Sequence, residues 1–106
     1  MFGDMLGNME KQQAEMQAKL AQMEVTASSG DGAILVKANA TGEILNVEID
    51  TQKLDWEDKE EVEDLIVIAV NRVLEIAKAK EAAAAQEVMN NILPGGLGGL
   101  GSMLGG

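Results

Sequence analysis

A chain of 106 residues is one domain's worth, and 46% of it is hydrophobic although it holds one Phe, one Trp and no Tyr, so its core must be aliphatic. With no Cys, disulfides and thiolate metal sites are excluded; with no His, the usual general base and the commonest nitrogen ligand of zinc are missing too. Those absences remove most nucleophilic triads and transition-metal centres, while a net charge of −10 opposes unspecific attraction to nucleic acid and to anionic membranes.

The opening Met1-Phe2-Gly3-Asp4 lacks the basic and apolar regions of a signal peptide. No apolar run approaches the roughly 20 residues that a membrane span needs. A cytoplasmic protein without a membrane partner is therefore expected, and Asn39-Ala40-Thr41, which has the letters of a glycosylation acceptor, is a chance match.

From about Asp4 to Glu24 the chain is rich in Gln, Glu, Lys, Met and Ala, which are good helix formers. Phe2, Leu6, Met9, Met16, Leu20 and Met23 alternate by fours and threes once Gln13 fills the gap, which makes a heptad seam with one polar member. Two arrangements satisfy it: an amphipathic helix packed on its own domain, or a coiled-coil helix with another helix as neighbour. Three heptads are too short to stand alone, and methionines on the seam pack adaptably.

The middle of the chain predicts β structure. Val25-Thr26-Ala27 is a short strand stopped by a turn at Ser28-Ser29-Gly30-Asp31-Gly32. A second strand runs from Ala33 to Ala40, and Thr41-Gly42 turns the chain into a third, Glu43 to Asp50. In the third, Leu45, Val47 and Ile49 alternate with Asn46, Glu48 and Asp50, the pattern of a half-buried face. So small an antiparallel sheet needs a helix or a second subunit over its apolar side.

Asp55 is the expected N-cap of a second helix, with acidic residues crowding its first turn. Val62, Leu65, Ile66, Ala69, Val73, Ile76 and Ala77 form one stripe, yet Val67, Ile68, Val70 and Leu74 lie off it. A helix so apolar all round predicts one side on the sheet and another against a second subunit, which makes Val67, Ile68, Val70 and Leu74 candidate dimer-interface residues. Nothing interrupts the pattern from Trp56 to Pro94. About 37 helical residues extend roughly 55 Å, so the end of this helix, including Ala82-Ala83-Ala84-Ala85, should project as an arm beside which the first helix can lie. The glycine-rich segment 94–106 is expected to be disordered, leaving residues 1–93 as the folded domain.

The remaining patterns carry little chemistry. Gly96, Gly98 and Gly101 have the spacing of a dinucleotide fingerprint, but no strand precedes them and five residues follow. Glu57, Glu60, Glu61 and Asp64 share a helical face that could hold Mg²⁺ or Ca²⁺ weakly, and a solvated acidic face is the better reading. No cofactor, metal, small-molecule substrate or enzymatic activity is expected. Among the basic residues, Lys53 and Lys59 sit among acids, whereas Lys78 and Lys80 follow the acidic stretch where the arm begins, and Lys11 and Lys19 lie on the first helix.

Taken in order, Met1-Phe2-Gly3, Val25-Thr26, Gly30-Asp31-Gly32, Gly42 to Asp50, Leu54-Asp55, Glu57 to Glu60, Leu65-Ile66-Val67, Ala69-Val70-Asn71 and Leu93-Pro94-Gly95 resemble the YbaB/EbfC family of bacterial nucleoid-associated proteins over nearly the whole chain. The resemblance implies an α-β-α fold, a tight homodimer with protruding helical arms, and binding of duplex DNA in nucleoid organisation or gene regulation. Departures at Ala27, at Trp56 and in the lengthened stretch from Gly32 to Ala38 touch turns and caps only. Charge is the weightier matter, because a dimer carries −20. Binding then needs basic groups gathered where acids stay beyond a Debye length of about 8 Å. The arms are the least acidic places, so Lys11, Lys19, Lys78 and Lys80 are the candidate phosphate contacts. The alternative is a protein-interaction module that uses the Met-rich seam and the acidic surface.

Overall fold

The computed structural model describes residues 2–92. Its elements are α1 (Phe2–Gln22), β1 (Glu24–Ser29), β2 (Ile34–Asn39), β3 (Ile44–Ile49) and α2 (Lys59–Ile92). This is the expected α+β order of a helix, a small antiparallel sheet of three strands and a long second helix. The glycine-rich segment 94–106, with its expected disorder and its fingerprint-like glycines, lies outside the described residues.

The strands lie in the order β1-β2-β3, antiparallel throughout. Val25, Ala27 and Ser29 pair with Ala38, Val36 and Ile34, and residues opposite one another share a face. On that face α2 lays Val62, Ala69, Val73 and Ala77, all buried at helical spacing. Alanines at 38, 69 and 77 let helix and sheet approach closely, so the aliphatic core is thin and concentrated around Ile34, Val36 and Val73.

Three boundaries differ from the sequence reading, each for a local reason. Ser28 and Ser29 belong to β1 rather than to the turn. Ser29 is buried, and its hydroxyl donates to the Leu65 carbonyl oxygen at 2.6 Å, which satisfies a polar group inside the helix–sheet seam. The reversal is left to Gly30, Asp31 and Gly32, with φ of 60°, 55° and 89°, a left-handed run in which glycine is the natural choice. The helix cap is Asp58, not Asp55. The Asp58 carboxylate accepts from the Glu61 N–H at 3.2 Å, and its carbonyl takes the first helical bond, from Val62, also at 3.2 Å. Asp55 instead closes a turn of its own by accepting from the Glu57 N–H.

The third difference concerns β3. Its register shifts between Lys37 and Ala38, so Ile44 pairs with Ala38 and Leu45 is the extra residue of a bulge. By their pairing with Val36 and Ala38, Val47 and Ile44 lie on the sheet face that α2 covers. Yet α2 packs over β1 and β2, and Ile44, Leu45 and Val47 remain about 40% exposed. The expected half-buried face of this strand is therefore bare within one chain, apart from Ile49 at the core's rim.

At the β2–β3 turn Asn39 is buried, and its side-chain oxygen accepts from the Thr41 N–H, the Thr41 hydroxyl and the Glu43 N–H. The last fully packed residue of α2 is Ala77. Residues 78–92 run on for about 22 Å at the helical rise. The described residues span 63 × 36 × 17 Å with a radius of gyration of 20.0 Å, against about 13 Å for a compact domain of this length.

Candidate nucleic-acid interface

The first arm is anchored at its base. Leu20 is fully buried, and the Ala40 N–H donates to both the Leu20 carbonyl, at 3.1 Å, and the Met23 carbonyl, at 2.9 Å. Toward the N-terminus the heptad seam loses its cover: Met16 is half-buried, whereas Met9, Leu6 and Met5 are about 60% exposed. The outer part of α2 is likewise bare, with Val88 and Met89 exposed. Between the two helices lies an open groove of about 590 Å³, lined by Met9, Met16 and Lys19 of α1 and by Ala84, Glu87 and Val88 of α2 among others. Among the described residues of the seam Leu20 alone is fully buried, with Met16 and Met23 half-buried, and over most of their length the helices flank a cleft instead of closing on each other.

All four candidate lysines, Lys11, Lys19, Lys78 and Lys80, are exposed. The ion pair among the described residues is Lys37 with Glu24, at 3.6 Å across the far face of the sheet. They do not form one patch. Lys78 and Lys80 are two residues apart, so their side chains leave the helix about 200° apart. Lys80 lies four residues before Ala84 and so shares the groove-lining face, as Lys19 does, while Lys78 points away. Lys11, eight residues before Lys19, is turned about 80° from it.

Charge is partitioned along the molecule. The arms, residues 2–22 and 78–92, hold four basic and five acidic residues, whereas residues 23–77 hold four basic and thirteen acidic ones. From Asp64, the last acid of the cluster that begins at Asp55, to Lys78 the helical rise gives about 21 Å, well beyond the Debye length of about 8 Å. The acidic cluster from Asp55 to Asp64 is therefore screened from Lys78 and Lys80, while Glu75 and Glu81 stand within one turn of Lys78, and Glu10 and Glu15 within about one turn of Lys11. Among the described residues no group of three or more carboxylates converges to hold a metal ion.

The candidate dimer-interface residues divide between two flanks of α2. Leu65, Ile68 and Arg72 follow one another at helical spacing over β1, where the Arg72 guanidinium donates to the Ser28 carbonyl at 2.8 Å and Leu65 meets Ser29. Val67, Val70 and Leu74 occupy the opposite flank, toward β3. Val70 and Leu74 are half-buried against the chain's own core, and Val67 is 57% exposed. The Arg72 tie was not anticipated from sequence, since nothing links residues 44 apart before the chain is folded.

These features define an α-β-α protein with one helix-covered sheet and two helical arms that carry half of its basic residues but few of its acids. The same fold occurs in the crystal structure of an uncharacterized protein from Helicobacter pylori, with a TM-score of 0.71 and 26% identity over 82% of this chain and 91% of that one. The chain belongs to the YbaB/EbfC DNA-binding family, whose profile matches residues 1–95. It is 37% identical over 100 residues to a nucleoid-associated protein of Campylobacter fetus, covering 94% of this chain and 90% of the relative. A nucleoid-associated protein of Campylobacter jejuni is 35% identical over 99 residues, 93% of each. One from Syntrophobacter fumaroxidans reaches 45% over 73 residues, 69% of this chain and 64% of the relative.

Proposed function

We propose that this protein is a nucleoid-associated, cytoplasmic homodimer that grips duplex DNA between or along its helical arms and acts in nucleoid organisation or gene regulation, without catalysis, cofactor or membrane. The carrying observation is the partition of charge: the arms are close to neutral and hold Lys11, Lys19, Lys78 and Lys80, whereas the body holds most of the acids. Few contacts that are also angularly dispersed imply weak binding with a shallow dependence on salt.

Dimerisation is supported by unfinished burial. Ile44 and Val47 face the α2 side of the sheet without cover, and Val67 stands bare on the adjoining helix flank. A second copy related by a two-fold axis buries both patches against the same pair on its partner. The rival reading, a protein-interaction module, draws on the exposed methionine seam of α1.

Gel shifts with duplex DNA at low and at physiological salt separate the two. Retention that weakens with salt supports DNA as the ligand, and its absence at low salt favours a protein partner. Reversal of both Lys78 and Lys80 to Glu should abolish retention while light scattering still reports the wild-type mass; an unchanged binding curve overturns the assignment.

A further inference from the structure

The groove between α1 and α2 leaves Met9 and Val88 exposed and Met16 only half-buried. We propose that residues 97–104 of the same chain, apolar and without charged side chains, dock there. Three observations bear on the choice of occupant. The first is position: α2 ends at Ile92, one helical turn beyond the groove-lining Val88, so the following segment starts at the groove's outer mouth.

The second is composition. A quarter of the chain is charged, yet no side chain after Glu87 carries a charge. Leu97, Leu100, Met103 and Leu104 recur at intervals of three, three and one, with Gly98, Gly99, Gly101 and Ser102 between them. Pro94-Gly95-Gly96 has the residues of a chain reversal, which is what return toward the body requires.

The third is reach. Five residues from Ile92 to Leu97 extend up to about 17 Å, while Val88 lies only about 6 Å back along the helix and Ala84 about 12 Å. From Leu97 to Leu104 the chain covers up to about 24 Å, more than the roughly 10 Å of α1 between Met9 and Met16. Tethering this close raises the effective concentration of the segment to the millimolar range, which offsets the ordering cost of its glycines. The groove lining contributes both Lys19 and Glu87, so an uncharged occupant leaves both free to face solvent.

The chain has no cysteine, so Ser102→Cys in the full-length protein provides a single attachment point for a spin label. With methionine methyls isotopically labelled and no DNA present, the Met9 and Met16 signals should lose most of their intensity, while Met23, at the base of the arm, keeps its own. Adding Leu97→Asp and Leu100→Asp to the labelled chain should restore both signals. Unbroadened Met9 and Met16 signals, or broadening that survives the two aspartates, overturns the proposal. In a mixture of spin-labelled chains and separately isotope-labelled Ser102 chains, broadening across chains assigns the groove to a neighbour's segment and overturns the intrachain assignment. None of these readouts depends on DNA binding.

Discussion

The Ser29 hydroxyl donates to the Leu65 carbonyl oxygen at 2.6 Å, a bond between residues 36 apart that pins the end of β1 to the second turn of α2. Leu65 lies in the interior of a continuous helix, so its carbonyl also accepts from the N–H four residues on. Ser29→Ala therefore orphans no acceptor and should cost about 1 kcal/mol. Its signature is a lower denaturant midpoint with an unchanged slope. Gly30→Ala should cost more, about 1–2 kcal/mol for a left-handed non-glycine residue, because φ is +60° and the added Cβ would sit 2.9 Å from a Leu65 methyl.

The two aspartates before α2 provide a second test. Asp58 bonds the Glu61 N–H and begins the helical ladder, so Asp58→Ala should lower stability by about 0.5–2 kcal/mol. Asp55→Ala loosens an exposed turn and should stay within about 0.5 kcal/mol of wild type. Equal losses in paired denaturation curves would mean that both residues cap the helix.

Local chemistry made the helices, the strands and their order legible in the sequence. The stripe at Val62, Ala69, Val73 and Ala77 needed only a 3.6-residue period, and the length of α2 alone announced an arm. What depended on contact between distant residues stayed hidden. Ser29 read as a turn residue because serine favours turns, until Leu65 offered it a buried acceptor. Leu45 read as an inward residue of β3 because alternation assumes no bulge. The lysines on the arms were legible as a low-acid set, but their angular dispersal follows from helical rotation at each exact position. The division of Val67 and Ile68 between two flanks has the same origin.

That division makes a discriminating test of the dimer. Val67 lies on the flank toward the bare face of β3, and Ile68 on the flank over β1, next to Arg72. Val67→Asp, and equally Val47→Asp, should halve the mass seen by light scattering while circular dichroism retains the helical signal. Ile68→Asp should leave the dimer intact. If Ile68→Asp alone dissociates it, the interface runs over β1 instead.

Dispersal of the lysines also sets the salt dependence of DNA binding. Each neutralised phosphate steepens the slope of log affinity against log salt by about 0.9. Four lysines in each of two chains, all engaged, would give about −7. Because Lys78 and Lys80 diverge by about 200°, a duplex lying on one side of an arm meets only one of them. Lys11 and Lys19 diverge less and can both turn toward it only in part. The slope for wild type should therefore be no steeper than about −4. Charge reversal of Lys19 with Lys80, the groove-facing pair, and of Lys11 with Lys78 should then have unequal effects. One double variant loses binding and the other keeps most of it, which reports the side of the arm that DNA occupies. A slope near −7, with equal losses from both double variants, would mean that the duplex is wrapped by both sides of the arms.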